Sequence, residues 1–207
     1  MGKLRARTDA ELAARKQEII DAARKLLQTE EYGAIPLATI AEKTSISRTS
    51  MYTYYEKKED VFVDLMIEEY ILWARDLETM EPQTREGFCR SMAELLWKRQ
   101  TLLKLLSLQL SVWDRKYSDD MIQRFVTEVS PFYKTLNALL KRQFPDAAPE
   151  TRNMFQIQFS VYCNSLYVLG HLPESQISAM EEQDFFGMIP DPVEICYEGL
   201  MLLSANL

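Results

Sequence analysis

The chain has 207 residues, 47% of them hydrophobic, which suits a globular protein with one large domain or a small and a medium one. The chain has only six glycines, and its charged residues are spread among Leu, Ala, Met and Glu; this composition favours helices. No apolar run is long enough for a membrane span. The charged N-terminus does not resemble a secretory signal, so we expect a cytoplasmic protein. Cys89, Cys163 and Cys196 form no Cys-x-x-Cys pair, which predicts reduced, mostly buried thiols rather than disulfides or zinc ligands.

The net charge of −7 is distributed unevenly along the chain. Residues 1–60 hold 11 basic and 10 acidic side chains, a charge of +1, whereas the remainder holds 13 and 21, a charge of −8. A mildly basic head on an acidic body fits a head that contacts phosphate. A chance fluctuation in a solvated surface explains the charge equally well.

Hydrophobic periodicity predicts four helices in the first eighty residues, over 9–31, 37–44, 48–55 and 58 to about 80. Gly33 and Pro36 interrupt the pattern after the first helix, and Ser47 is a suitable N-cap for the third. Met51 and Tyr55 lie four residues apart, so we expect both to face inward. Two short helices joined by a tight turn are the arrangement of a helix-turn-helix.

The rest of the chain also has a helical pattern, with helices predicted over about 84–99, 101–113, 118–144, 149–170 and 192–205. Pro131 predicts a kink or short break in the third of these. Asp191 with Glu194 predicts an N-cap of capping-box character for the last helix. The segment 171–190 has weak periodicity and is expected to be a loop with one short helix at most. The fold class is therefore all-α.

The third helix carries side chains suited to reading DNA. Arg48 can reach a guanine edge or a phosphate, and short hydroxyl side chains beside it suit base edges or backbone oxygens. Tyr52 and Tyr54 can donate phenolic hydrogen bonds to phosphate. Lys58 opens the next helix, where its positive charge is unfavourable beside the positive end of the helix dipole. This mismatch favours a phosphate partner for Lys58. An aromatic cluster in the core is the alternative for the tyrosines, and for Tyr55 we prefer it.

The segments 19–23, 40–41, 45–55 and 58–62 resemble the signature of the TetR family of transcriptional regulators, including the Tyr-x-Tyr-Tyr of residues 52–55 and the following Lys-Glu. The resemblance implies a helix-turn-helix DNA-binding domain over 1–57 and a helical ligand-binding and dimerisation domain over 58–207. The residues implied to contact DNA are Thr39, Arg48, Thr49, Ser50, Tyr52, Thr53, Tyr54 and Lys58. Ser45 stands where the family commonly has Gly, so we expect it to adopt a turn conformation that costs about 1 kcal/mol.

For the larger domain, the resemblance implies a small-molecule pocket and a homodimer formed through the last two long helices. Candidate pocket residues are Trp73, Phe88, Met92, Trp97, Trp113, Phe125 and Tyr133, although aromatic stripes of this kind more often form core. Candidate interface residues are Phe155, Phe159, Tyr162, Leu166, Leu169, Ile195, Leu200 and Leu203, and burial within one chain is the alternative for each. The partners expected are an operator DNA duplex, an unidentified effector and a second copy of the chain.

An enzymatic function has little support in the sequence. His171 is the only histidine, so no histidine-based triad or two-histidine metal site can form, and no glycine-rich phosphate loop is present. Carboxylate pairs such as Glu68-Glu69, Asp119-Asp120 and Glu181-Glu182 are expected to be solvated surface. We expect no cofactor. The competing hypothesis is a helical ligand-binding or protein-interaction dimer that does not bind DNA.

Overall fold

The computed structural model describes residues 8–81, 84–112, 118–185 and 191–207, with the backbone alone at 109–112 and 169. In these ranges the chain is helical and contains no strand, which confirms the all-α prediction. The chain divides into two compact units, 1–68 and 69–207. The division falls inside a long helix that begins at Lys58. No helix in the described ranges is long and apolar enough to cross a membrane.

The first unit contains α1 (Asp9–Thr29), a 3-10 turn (Tyr32–Ala34), α2 (Leu37–Glu42), α3 (Arg48–Met51) and the first half of α4 (Lys58–Glu78). α1 begins with a capping box in which the Thr8 hydroxyl accepts a hydrogen bond from the Glu11 N–H and the Glu11 carboxylate accepts one from the Thr8 N–H. Its buried face includes Ile19, Ala23 and Leu27, and these pack in the unit's core.

α3 is shorter than the sequence predicts. The Ser47 hydroxyl accepts a hydrogen bond from the Ser50 N–H, which confirms the predicted cap. The helix ends at Met51 rather than Tyr55, and residues 52–54 continue it as turns in which the Tyr55 N–H donates to the Met51 carbonyl, with an N–O distance of 3.1 Å. Met51 and Tyr55 are both buried, as the periodicity predicts.

The conformation expected for Ser45 is wrong. Asp184 is the only non-glycine residue with a positive φ among those described, so Ser45 avoids the left-handed region. The turn is held instead by Glu18 of α1, whose carboxylate accepts hydrogen bonds from the Ser45 N–H and hydroxyl. These bonds hold the pKa of the Glu18 carboxyl below its ordinary value. A long-range contact therefore stabilises the turn where the sequence suggested backbone strain.

Within the described ranges, the second unit contains the rest of α4 and six further helices: α5 (Arg85–Trp97), α6 (Gln100–Val112), α7 (Asp119–Gln143), α8 (Pro149–Leu169), α9 (Glu174–Glu182) and α10 (Pro192–Leu203). α8 packs against α6, α7 and α10, and α10 also packs on α5. α9 is the one short helix allowed for in the segment 171–190. α7 is continuous through Pro131, so of the predicted kink or short break, the break does not occur.

Polar contacts in the second unit correct two further expectations. Asp191 caps α10 by accepting from the Val193 N–H, but Glu194 binds the Arg90 guanidinium at 2.7 Å instead of completing a capping box. Glu69, expected to be solvated, is 4% exposed and lies 3.7 Å from the Arg99 guanidinium. The ion pair with the partly buried Arg99 guanidinium explains the buried carboxylate. All three cysteines are buried and form no disulfide, as predicted.

Candidate DNA-binding surface and effector cavity

α3 and the turns over residues 52–54 present a polar outer face in the first unit. Arg48, Thr49 and Thr53 are exposed, and the Tyr52 ring is 63% exposed. Thr39 and Ser50 are partly exposed, and Ser50 takes part in the cap with Ser47. A large aromatic side chain displayed this openly, beside hydroxyls and a guanidinium, is suited to contact a partner surface.

Two neighbouring tyrosines are turned inward. The Tyr55 hydroxyl donates to the buried Asp64 carboxylate at 2.8 Å, which fits the core role preferred for Tyr55. Tyr54, a predicted DNA contact, is 9% exposed and belongs to the buried side chains of this unit. Of the two tyrosines expected at the DNA, the structure thus displays Tyr52 and buries most of Tyr54.

Both predicted phosphate-binding cations already have partners within the first unit. The Arg48 guanidinium forms an ion pair with Glu42 at the end of α2. The Lys58 ammonium donates to the Tyr32 carbonyl at 2.7 Å and lies 4.2 Å from the centroid of the Tyr32 ring. A phosphate that used either cation would compete with these contacts, and the sequence pattern offered no signal of them.

The second unit encloses a small cavity between α4, α6, α7 and α8. Its volume is about 10 Å³, and its lining consists of Tyr70, Trp73, Leu106, Phe132, Tyr133, Phe159, Ser160 and Cys163. An adjacent cleft of about 220 Å³ lies between α4 and α7 and includes the charged side chains Arg75, Glu78 and Glu128 in its lining. Tyr70 and Phe132 belong to both linings, with ring centroids 5.0 Å apart in an edge-to-face arrangement.

The candidate pocket residues are spread over several places in this unit. Trp73 and Tyr133 line the cavity, and the Phe125 ring lies 6.1 Å from that of Tyr70. Phe88 and Met92 are fully buried away from the cavity, and Phe88 packs against Phe144. Trp97 lies near Gly170 and His171. Trp113 falls outside the described residues. Sequence reasoning missed Tyr70 and Phe132, although their positions three residues before Trp73 and one before Tyr133 offered a signal.

Hydroxyl groups along one side of the cavity form a chain of hydrogen bonds. Ser160 donates to the Gln156 carbonyl at 2.8 Å, and the Tyr133 and Ser160 hydroxyl oxygens are 3.4 Å apart. Burial raises the pKa of Tyr70 well above its ordinary value, and a hydrogen bond with Tyr133 adds to the shift. Because the Ser160 proton is used at the Gln156 carbonyl, the Tyr133 hydroxyl is the donor to the Ser160 oxygen.

The candidate interface residues differ in how far a second copy could reach them. Phe155, Phe159, Leu166 and Leu200 are at most 2% exposed within the single chain, so they offer almost no surface to a partner. Tyr162, Ile195 and Leu203 are partly exposed, Tyr162 donating to the Ile195 carbonyl, and the side chain of Leu169 is outside the described set.

The outward faces of α8 and α10 are nevertheless apolar. Met154, Ile157, Val161 and Val168 follow one another at helical spacing along α8 and are 53–66% exposed, and Leu202 on α10 is 78% exposed. We refer to these five residues as the α8/α10 stripe. No charged residue occurs from Asn153 to Gly170. A surface helix without charged residues on its outer face is typical of a protein interface.

Comparisons with known proteins agree with this arrangement. Residues 19–65 match the family model of bacterial regulatory proteins of the tetR family, and residues 68–205 match the tetracyclin repressor-like C-terminal domain. The chain belongs to the TetR family. It is a helix-turn-helix transcriptional regulator, as the sequence resemblance implied. No curated protein matches it significantly.

Solved structures share the TetR fold at low sequence identity. A protein of Mesorhizobium loti assigned to this family is 16% identical with a TM-score of 0.59, over 95% of this chain and 98% of its own. FadR of Bacillus subtilis, solved with stearoyl-CoA, is 16% identical with a TM-score of 0.58 over 92% and 98%. FadR of Bacillus halodurans, a fatty acid degradation regulator, is 16% identical with a TM-score of 0.55 over 90% and 94%.

Proposed function

We propose that this TetR-family protein is a cytoplasmic, non-enzymatic repressor that binds a palindromic operator as a homodimer and is released by a small molecule. The observation that carries the DNA-binding part is the exposed face of α3 and of the turns that follow it, with Tyr52 beside Arg48, Thr49 and Thr53. Hydroxyls and a guanidinium there suit base edges and phosphates, and the partly exposed Thr39, Ser50 and Lys58 extend the surface. Because Tyr54 is 9% exposed, only a small part of its side chain can contribute to the DNA-binding surface.

The homodimer follows from how a helix-turn-helix reads DNA. One head reads a half-site, and two-fold symmetry places two recognition helices about 34 Å apart on successive turns of the duplex. The α8/α10 stripe is the surface that supports this proposal, because its apolar side chains project outward in the single chain. A symmetric interface brings each such patch against its own copy.

Release by an effector requires unequal affinity for two conformers. A molecule that bound the DNA-binding and the released form equally would shift nothing. The cavity and the adjacent cleft are where we place the effector, with Trp73 and Tyr133 in the lining. The stearoyl-CoA complex of Bacillus subtilis FadR supports a small-molecule effector as a class.

The test is binding of the purified protein to DNA upstream of its own gene at about 50 and about 200 mM salt. Binding that neutralises several phosphates releases counterions, so its affinity falls steeply as salt rises. For six phosphate contacts the loss of affinity between these two concentrations is roughly a thousandfold. We expect Tyr52→Ala and Lys58→Ala to weaken binding, and Lys58→Ala also to reduce the salt slope by about one unit.

The matched control is Phe185→Ala, which removes an aromatic ring that is 67% exposed in the other unit. This variant should bind DNA like the wild type. Loss of binding in all three variants would point to general damage rather than to a contact face. A stable dimer that binds no neighbouring intergenic DNA would instead favour the protein-interaction hypothesis.

A further inference from the structure

We infer that the effector is an uncharged aromatic molecule with a hydrogen-bond acceptor, and that the indole N–H of Trp73 donates to that acceptor. The inference rests on the proposed function, because it identifies the chemistry of the effector that the proposal requires. It is carried by the lining of the cavity, in which five of the eight residues are aromatic.

The donors of the cavity lining are nearly all in use. The Ser160 hydroxyl donates to the Gln156 carbonyl, the Tyr133 hydroxyl donates to Ser160, and Tyr70 is hydrogen-bonded with Tyr133. The indole nitrogen of Trp73 is buried and has no hydrogen-bond partner among the described residues. An indole N–H can only donate, and leaving it unpaired in an apolar site costs free energy. A ligand with a carbonyl or ether oxygen would supply the missing acceptor.

The aromatic rings around the cavity favour an aromatic ligand. Trp73 lies 4.4 Å from Phe132 and 5.7 Å from Phe159 between ring centroids, and Tyr70 lies 6.1 Å from Phe125. These separations are within the range at which aromatic rings attract one another edge-to-face or offset, so a further ring in the group gains the same interactions. A saturated ring of the same size would gain only burial.

Charge is excluded from the inner cavity. The lining contains no Asp, Glu, Lys, Arg or His, and burial keeps the pKa of both Tyr70 and Cys163 well above the ordinary values, so these two groups stay neutral. Moving a carboxylate or ammonium into such a lining without an ionic partner is strongly unfavourable. The charged groups Arg75, Glu78 and Glu128 belong to the outer cleft alone.

Binding requires the cavity to open. At about 10 Å³ it has room for one water molecule at most, whereas the cleft of about 220 Å³ approaches the size of a small ligand site. Rotation of the Tyr70 and Phe132 rings, which belong to both linings, joins the two spaces. A ligand that holds these rings apart stabilises a conformer of the α4–α7 contact that the ligand-free chain does not show.

The experiment compares acetophenone with three probes that each differ from it in one main property. Ethylbenzene lacks the acceptor, cyclohexyl methyl ketone lacks the aromatic ring, and benzoate carries a negative charge. Their affinities for the full chain are measured by ligand-observed NMR without DNA. We expect acetophenone to bind roughly tenfold more tightly than ethylbenzene, the value of one buried hydrogen bond, and more tightly than the other two. Equal binding of benzoate or cyclohexyl methyl ketone would overturn the inference, as would failure of acetophenone to bind.

Two variants assign the acceptor contact. Trp73→Phe keeps a ring but removes the N–H, so the preference for acetophenone over ethylbenzene should vanish while ethylbenzene binds as before. Trp97→Phe, outside the cavity lining, should keep the preference. A preference that survives in Trp73→Phe would refute the role of the indole.

A wild-type measurement covers the case in which Trp73→Phe does not fold. The indole N–H resonance of Trp73, assigned with Trp97→Phe and Trp113→Phe, should move downfield with acetophenone because a hydrogen-bonded N–H is deshielded, whereas ethylbenzene should cause only the displacement that its ring current produces. An acetophenone complex with no downfield displacement of the N–H proton relative to the ethylbenzene complex would refute the contact. Operator binding is measured separately, so DNA binding without probe binding overturns this inference alone, and the reverse overturns the proposed repressor alone.

Discussion

Gly199 of α10 lies directly against the hydroxyl end of Tyr162 on α8. A Cβ atom at position 199 would overlap the Tyr162 Oη and stand 2.5 Å from its Cζ. The same hydroxyl donates to the Ile195 carbonyl at 2.9 Å, one turn before Gly199. The absent side chain thus allows a tyrosine to cross α10 and bond to its backbone.

We expect Gly199→Ala to destabilise the protein by about 1–3 kcal/mol, because the added methyl group must displace a ring that is fixed by a hydrogen bond. The gain in helix propensity, about 1 kcal/mol, offsets part of this cost. The measurement is the free energy of unfolding in urea at fixed protein concentration. Gly33→Ala is the control, since a Cβ there meets nothing within 4 Å. Equal stabilities of the two variants would show that the α8–α10 contact adapts freely.

The bond between Glu18 and Ser45 predicts a pH dependence. The folded state holds the pKa of Glu18 below its ordinary value of 4.5, so the ionised carboxylate contributes stability above that pH. This contribution is lost as the pH falls through the folded pKa. Glu18→Gln should therefore be less stable than wild type at neutral pH, and the gap should narrow below about pH 4.5.

Urea unfolding of both proteins from neutral pH down to about pH 3.5 measures this gap. Glu31→Gln serves as the control, because Glu31 is an exposed carboxylate of the same unit that lies outside the turn at Ser45. A gap that stays constant across the range would mean that the Glu18 amide replaces the carboxylate without loss, and that the charge has no part in holding the turn.

Helix positions and caps were predictable because they depend on local periodicity. Ser47 is a predicted cap because it is a serine directly before the third helix, and it caps α3. The conformation of Ser45 was not predictable in this way, because its partner Glu18 lies 27 residues earlier. The ion pair of Arg48 with Glu42 likewise depends on how α2 and α3 pack, which single-helix patterns do not specify.

The two apolar faces of α8 show a second limit of sequence reasoning. Periodicity indicates that α8 is apolar on more than one side, but not which side is buried within the chain. Phe155 and Phe159 were candidate interface residues and lie in the core, whereas Ile157 and Val161 are exposed. Phe159 also completes the aromatic cavity, a role that only the packing of α8 against α4 and α7 defines.

The ion pair between Glu42 and Arg48 predicts a variant with tighter DNA binding. Both side chains are well exposed, at 67% for Arg48 and 50% for Glu42, so the pair contributes no more than about 1 kcal/mol. Glu42→Gln releases the guanidinium and should tighten operator binding by up to about fivefold. Glu56→Gln removes the same charge just after residues 48–55 and is the control for general electrostatics. An equal gain in both variants, measured by titration of labelled operator DNA, would assign the effect to net charge alone.

The α8/α10 stripe predicts that one added charge disrupts the proposed dimer. Val161 is 66% exposed in the single chain and belongs to a segment without charged residues. In a symmetric interface Val161→Arg places two unpaired cations against apolar surface, which should weaken dimerisation by at least about a hundredfold. Sedimentation velocity over a range of concentrations measures the dissociation constant.

Val126→Arg is the matched control, because Val126 is 57% exposed on α7 and outside the stripe. The control should remain dimeric and bind the operator, whereas Val161→Arg should become monomeric and lose operator affinity, because a single head reads only a half-site. Since Val161 is exposed in the single chain, the variant monomer should keep the helical circular dichroism of the wild type. A Val161→Arg protein that stays dimeric would place the interface elsewhere, and a shift to monomer in Val126→Arg alone would place it on α7.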